Sequence, residues 1–323
     1  MNTKVQDYST TFKTLQKNMK WKVSDKRILM TIASIYVMNN KKLDITKLLQ
    51  LADKIKSRAS LFSSMKSYPR FTTSAMLDVN FDDPEAKISS LYDYYHKLKQ
   101  ARFKSGTYTY IAATILLTNE PHPHSIETLI QKAKKIYDGM KQEHGFLTNE
   151  GDYPLAMLLA YQERVDYIQH IEAYYERLAK NGFRKGNDLQ FLSHILSLKE
   201  DENPDNLVNR CLHVSDRLKE AGIRTKTMYY PVFGILSLLP PDVFHVNEIM
   251  DMYDALCAEK DFKWQKDMNV LMAVSFFVND KLENKGLAET SIYTVLETVI
   301  QAQQAVMIAT MAGATAAATS SSN

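Results

Sequence analysis

The chain has 323 residues, of which 45% are apolar and 24% charged, and its net charge is +3. That composition belongs to an ordinary water-soluble globular protein and excludes a collagenous or low-complexity chain. Two cysteines, Cys211 and Cys257, are too few for a disulfide framework and stand at no metal or redox spacing.

Ten glycines and nine prolines are few for this length, and scarce helix breakers favour an all-helical chain. A bulky, mostly aromatic residue recurs at Trp21, Phe62, Phe103, Phe146, Phe183, Ile223 and Phe262, at intervals of 41, 41, 43, 37, 40 and 39 residues. A period near forty is the signature of a helical repeat. Each unit reads as a helix, a stop, the landmark residue, a cap and a second helix.

In chain order, Trp21 precedes a cap at Ser24 or Asp25 and an apolar helix over 28–38. After Phe62, Pro69 interrupts the expected second helix, which begins late and carries Ala75, Met76 and Leu77. Phe103 leads to a cap at Thr107 and a helix over 110–117. Gly145-Phe146 leads to Thr148 or Asn149 and then 155–161.

The next unit shows the grammar most fully. Ile171, Tyr174, Tyr175 and Leu178 form a helical stripe that Asn181-Gly182 stops. Phe183 folds back on the last turn, and Asn187 caps a helix carrying Leu189, Leu192, Ile195 and Leu196. Pro204 opens the following helix. Ile223 then leads through Thr225 to 231–239, and Phe262 through Asp267 to 270–277.

This predicts about fourteen helices in seven pairs, then a last helix over 287–307. The landmarks are expected as packing residues rather than a cofactor box.

Charge is uneven: residues 1–70 hold 15 Lys/Arg against 4 Asp/Glu, a local +11 that leaves −8 for the remainder. Such asymmetry marks either an anionic partner, met by Lys13, Lys17, Lys20, Lys22, Lys26 and Arg27, or simply solvated helix faces. A basic residue directly follows five landmarks (Lys22, Lys104, Arg184, Arg224, Lys263), where it either lines an edge with positive charge for phosphate or, the favoured reading, neutralises helix C-terminal carbonyls. The positions after the landmarks repeat no polar code of the kind that reads RNA bases.

His122 and His124, with Glu127 nearby, lie at a Pro-rich turn and lack a second ligand cluster, so no metal site is predicted. His144 suits a helix C-terminus, and His170, His194, His213 and His245 are scattered singly. No glycine-rich phosphate loop, HExxH or GxSxG motif occurs. No catalytic residue or cofactor is expected. The pairs Tyr94-Tyr95, Tyr174-Tyr175 and Tyr229-Tyr230 supply possible contact surface.

The chain lacks charge after Glu297, and residues 298–323 are rich in Ala, Thr and Ser. They are expected to continue the last helix and fray; Gln301, Gln303 and Gln304 argue against membrane insertion. The first residues have no apolar stretch of a secretory signal, which points to the cytoplasm.

Residues 145–156 (GFLTNEGDYPLA), 181–190 (NGFRKGNDLQ) and the final 320–323 (SSSN) resemble an uncharacterised family of Bacillus-type Firmicute proteins, a domain of unknown function. The resemblance implies a cytoplasmic bacterial setting and assigns no activity or site.

The sequence therefore predicts an all-α protein of about seven αα-hairpins. One helical-repeat domain spans 1–297, and an open superhelical solenoid is expected ahead of a closed α/α ring. The expected function is non-catalytic binding of a protein or peptide on a concave surface. A ring-shaped α/α enzyme and a binder of RNA or an anionic surface are the alternatives.

Overall fold

A computed structural model describes residues 3–199 and 202–284, together with Val299 and Ala302. Among the described residues there are fourteen α-helices and no strand. They fall into two compact units. The first, Asp7–Glu120 with Thr298–Asn323, holds 19 Lys/Arg against 10 Asp/Glu and is called here the basic unit. The second, Met1–Gln6 with Pro121–Glu297, holds 21 against 27 and is the acidic unit.

Helix α1 (Thr3–Met19) begins in the acidic unit and continues into the basic one, which also holds α2 (Lys26–Met38), α3 (Ile45–Arg58), α4 (Pro69–Asn80), α5 (Lys87–Gln100) and α6 (Thr107–Thr118). The acidic unit holds α7 (Ile126–Glu143), α8 (Tyr153–Ala160), α9 (Tyr167–Lys180) and α10 (Asn187–Leu196). It continues through α11 (Pro204–Glu220), α12 (Tyr230–Leu238), α13 (Val246–Ala258) and α14 (Lys266–Asn284).

Two kinds of helix alternate. Odd-numbered helices are amphipathic: α3 buries Leu48, Leu51, Ala52 and Ile55, spaced as one helical face, and exposes its lysines. Even-numbered helices are buried nearly all round. Every residue of α8 and α12 is buried, as is α2 from Ile28 to Met38.

In the basic unit α3 packs on α4 and α5 on α6, while α4 also touches α2 and α6. In the acidic unit α7 packs on α8, α9 on α10, α11 on α12 and α13 on α14, and α12 lies against α10 and α14. Lys4, within the acidic unit, pairs with Asp280 of α14 at 2.7 Å.

The landmark residues divide. Phe103, Phe183, Ile223 and Phe262 are buried. Three of them close the same turn: the backbone N–H of Phe103, Phe183 and Ile223 donates to the carbonyl of Leu98, Leu178 and Leu218 at 3.1, 3.1 and 3.0 Å. Each is preceded by a left-handed residue, Arg102, Gly182 or Gly222, and meets a buried leucine across the last helical turn. This is the Schellman arrangement with its apolar contact.

Trp21, Phe62 and Phe146 are instead fully exposed, contrary to expectation. The chain leaves these helices by a different path, and the buried position falls two or three residues later. Val23 donates to Met19 O at 2.9 Å and is buried; Thr148 donates to His144 O at 2.9 Å and is buried. A 3-10 turn at Ser64–Lys66 delays the third case, so that Met65 takes the core place.

Other local expectations shift as well. Pro69 opens α4 instead of interrupting it, since its missing N–H is harmless in the first turn. Gly106 and Gly186, rather than Thr107 and Asn187, hold the cap positions of α6 and α10. A 3-10 turn at Thr227–Tyr229, not Thr225, leads into α12, and Asp267 lies in the first turn of α14. Asp25, one of the two caps the sequence offered, caps α2; Ser125 caps α7, and Asn203 caps α11 ahead of Pro204. The last helix expected over 287–307 lies outside the described residues, apart from Val299 and Ala302, which are buried.

The two classes of landmark should separate in denaturant unfolding. Phe103→Ala and Phe262→Ala should each cost about 3–5 kcal/mol, whereas Phe62→Ala and Phe146→Ala should stay within about 0.5 kcal/mol of the parent. Equal costs in the two classes would contradict the burial pattern.

Candidate functional site

The six basic residues singled out in the sequence run from α1 into the start of α2. Lys13, Lys17, Lys20, Lys22 and Lys26 are exposed. Arg27 differs. Asp25 accepts from the Arg27 backbone N–H at 2.9 Å and from its guanidinium Nε at 3.0 Å, so the capping carboxylate ties the arginine down. The Lys20 ammonium lies 5.3 Å from the Trp21 ring centre.

Trp21 belongs to a larger set. Large apolar side chains left in water are Trp21 (91% exposed), Leu61 (82%), Phe62 (98%), Phe146 (107%), Val165 (94%) and Trp264 (79%). Single exposed apolar residues are unremarkable. The placement of these is not random: all except Val165 sit in a connection from an odd helix to the following even one, namely α1–α2, α3–α4, α7–α8 and α13–α14.

The tyrosine pairs do not supply contact surface. Tyr94, Tyr95, Tyr174, Tyr175, Tyr229 and Tyr230 are all buried. Tyr95 stacks on Tyr110 at 3.9 Å, Tyr230 Oη accepts from the Arg184 backbone N–H at 2.9 Å, and Tyr229 donates to Asp267. Their rings are core; the tips of Tyr94, Tyr229 and Tyr230 are tied back into the fold, whereas the Tyr174 hydroxyl is buried without a partner among the described residues.

Burial brings together a polar cluster in the acidic unit that the sequence showed only as scattered residues. His194 on α10 is wholly buried, and its Nδ1 lies 3.5 Å from Asp152 Oδ1. Asp152 closes the turn before α8, its Oδ2 accepting from the Asn149 N–H at 2.9 Å. Gln190, one turn before His194, donates to Thr148 Oγ1 at 2.8 Å, and Thr148 in turn donates to Met140 O at 3.1 Å. Gln190 Oε1 and His194 Nε2 find no partner.

Burial pushes the Asp152 carboxyl up to about 7; the Asn149 N–H opposes the rise and Glu150 adds to it. Burial, reinforced by the charge of His144, pushes His194 down to about 3. The pair therefore holds one proton, on Asp152, beside a neutral imidazole. That is acid–base chemistry in type, but the side chains are closed off from solvent. The signal in the sequence was the 42-residue spacing of Asp152 and His194, the interval that also joins Thr148 to Gln190.

Asp78 in the basic unit shows the opposite outcome. Its carboxylate accepts from Tyr36 Oη at 2.7 Å and pairs with Lys47 at 2.7 Å and Lys41 at 3.3 Å. Burial raises this carboxyl, but Lys47, Tyr36 and Lys41 together outweigh it and hold it below the usual range.

Three other histidines find ordinary partners. His122 Nδ1 lies 3.1 Å from Tyr161 Oη, His124 Nε2 3.0 Å from Glu163, and His144 Nε2 2.9 Å from Glu172. Among the described residues no group of three His, Cys, Asp or Glu is placed to hold a metal ion. Cys211 is buried on α11, whereas Cys257 on α13 is only half-buried. An open pocket of about 310 Å³ is lined by Arg184, Lys185, Gly186, Asn187, Asp188 and Thr227, with the Lys185 ammonium already 2.9 Å from Glu176. No described helix is long and apolar enough to cross a membrane.

Over its described residues the chain is all-helical, with exposed turns and a sealed polar cluster. It belongs to the family described as "Protein of unknown function (DUF4003)", whose model matches residues 11–305. It is similar to "Uncharacterized protein YeaA" of Bacillus subtilis (strain 168), at 36% identity over 321 residues, covering 98% of this chain and 96% of that protein. The family resemblance read from residues 145–156 and 181–190 is thereby confirmed. No solved structure matches.

The proton-sharing pair makes a signed prediction. Near pH 5 the unfolded chain holds one proton, on His194, and the folded chain holds one, on Asp152, so the pair adds almost no pH slope between about pH 4 and 6.5. Asp152→Asn leaves only the depressed histidine, which the unfolded state protonates first, so stability relative to the parent should fall as pH drops through that window. His194→Gln leaves only the raised carboxyl, so relative stability should fall as pH rises through it. Denaturant midpoints across the window test both, each pKa unit corresponding to about 1.4 kcal/mol; two variants with slopes of the same sign would refute the assignment.

Proposed function

We propose that this protein is a cytoplasmic, non-catalytic αα-hairpin repeat scaffold that binds a protein or peptide through exposed turns at one edge of its helix pairs. The observation that carries the reading is the position of Phe146 and Trp264. Both stand almost wholly in water on odd-to-even turns of the acidic unit, where they add nothing to the core. Exposed aromatics placed on rigid helix pairs are suited to anchoring a partner, because they bring large area at small entropic cost.

The repeat reading is supported by side-chain ties at close to one landmark interval: Tyr36 to Asp78 and Gln190 to Thr148 at 42 residues, Lys226 to Asp267 at 41, His122 to Tyr161 at 39. A hairpin stack generates this spacing, since equivalent positions of successive units become neighbours. The contact surface proposed from the structure is the turn edge and not a face built from the paired tyrosines.

One observation favours an enzyme as the second reading, the Asp152–His194 pair. An α/α-ring enzyme would need that pair to meet solvent, and a His194 protected from diethyl pyrocarbonate in the folded protein counts against it.

Photo-cross-linking residues placed at positions 146 and 264 test the scaffold. Capture of one and the same protein from both sites, and not from the exposed Val165 site on an even-to-odd connection, is the expected result. Equal or absent capture at all three would sink it. Small-angle scattering tests the open superhelix: a radius of gyration well above the ~20 Å of a globular chain of this length supports it, and a value near 20 Å favours the ring.

A further inference from the structure

The basic unit carries a second exposed edge whose chemistry differs from that of the acidic unit. Its odd-to-even turns hold Trp21 between α1 and α2 and Leu61-Phe62 between α3 and α4, all more than four-fifths exposed. Residues 20–25 and 39–44 are short connections and 59–68 is a longer one with a 3-10 turn; the hairpin reading proposed above, on which this inference rests, makes successive helices antiparallel. The α1–α2 and α3–α4 turns therefore emerge on the same edge of this unit, and the α2–α3 connection emerges on the other.

The same edge is cationic. Across residues 17–25 and 56–66 there are six Lys/Arg, namely Lys17, Lys20, Lys22, Lys56, Arg58 and Lys66, against a single carboxylate, Asp25. Asp25 is engaged by Arg27 and by the α2 cap, so it does not neutralise the patch. All six except the half-buried Lys66 are exposed.

Three features choose the partner. Trp and Phe tips flanked by lysine are what the interface of a bilayer accommodates, with the ring at headgroup depth and the ammonium at the phosphates. Leu61 has no π-face, so it contributes to insertion and nothing to base stacking. Five of the six cations are lysines, which act as point charges on a charged surface, whereas arginine is the residue suited to forked recognition of nucleic acid.

We infer that the edge of the basic unit bearing Trp21, Leu61 and Phe62 docks on an anionic phospholipid bilayer. The three apolar tips enter the headgroup layer while Lys17, Lys20, Lys22, Lys56 and Arg58 face lipid phosphates. This is attachment to the surface, not a span. It is independent of the protein-binding edge in the acidic unit, which faces a partner through Phe146 and Trp264.

The test uses the full chain and vesicles of phosphatidylglycerol mixed with phosphatidylcholine, beside vesicles of phosphatidylcholine alone. Trp264→Phe leaves Trp21 as the only indole. The expected result is sedimentation with the anionic vesicles only, weakening as salt rises, with a blue shift of Trp21 emission and quenching by brominated lipid. Trp21→Ala combined with Phe62→Ala, and separately Lys20→Glu combined with Lys22→Glu, should each weaken binding by about tenfold or more. Both double variants change exposed side chains only, and unchanged thermal unfolding confirms that they fold.

Failure to sediment with anionic vesicles at low salt overturns the inference, as does vesicle binding that ignores both double variants or leaves Trp21 unquenched. Binding of single-stranded RNA that depends on these residues, with no vesicle binding, overturns it in favour of nucleic acid. Either failure leaves the cross-links at positions 146 and 264 untouched, so the two readings fail separately.

Discussion

The structure depends on helices that have no polar face. Every residue of α8 and α12 is buried, and α2 is buried from Ile28 onward. A helix that is apolar all round must be covered on all sides. An amphipathic odd helix can cover only one side, so the even helices must also meet one another, as α10, α12 and α14 do, and α2, α4 and α6. The polar residues that do occur on even helices are made harmless locally. Thr31, Thr114, Ser193, Ser237 and Ser275 each donate to the carbonyl four residues earlier. That bond removes the cost of burying a hydroxyl without requiring a partner on another helix.

Longer polar side chains cannot be satisfied that way and must reach a neighbouring pair. Two buried carboxylates show what then decides their charge. Asp78 and Asp152 each meet a side chain 42 residues away, Tyr36 for the first and His194 for the second. Lys41 and Lys47 extend to Asp78 from partly exposed positions, keeping their stems along the fold, and the carboxylate stays ionised. No cation reaches Asp152, whose only strong donor is the Asn149 N–H, and it keeps its proton. The charge state of each site follows from the lysines that thread to Asp78 and from the deeper setting of Asp152, where burial dominates.

Much of this was legible in the sequence because it rests on local chemistry. The apolar segments at 28–38, 110–117 and 231–239 coincide with α2, α6 and α12 to within about three residues, and the cap at Asp25 and the helix opening at Pro204 were readable from residue type. What failed was register across turns. Gly182-Phe183 and Gly145-Phe146 look alike, yet Gly182 is left-handed and ends a Schellman turn, while at Gly145 the chain takes three more residues before Thr148 turns inward. A recurrence near forty residues does not say which residue of a turn is buried. His194 and Asp152 were invisible for a related reason, since neither residue type is unusual where it stands and only tertiary packing removes both from water.

The same slip of register bears on function. Where the turn closes in the Schellman manner, the landmark aromatic is consumed by the fold, as Phe103 and Phe183 are. At Trp21 and Phe146 it does not, and a smaller residue, Val23 or Thr148, fills the core place while the aromatic is left in water. An exposed Trp or Phe neither caps nor packs, and it adds apolar surface that a soluble chain otherwise limits. Because both the acidic and the basic unit leave such residues on the odd-to-even turns, it is the chemistry of each turn that decides which aromatic joins the core and which stays at the surface.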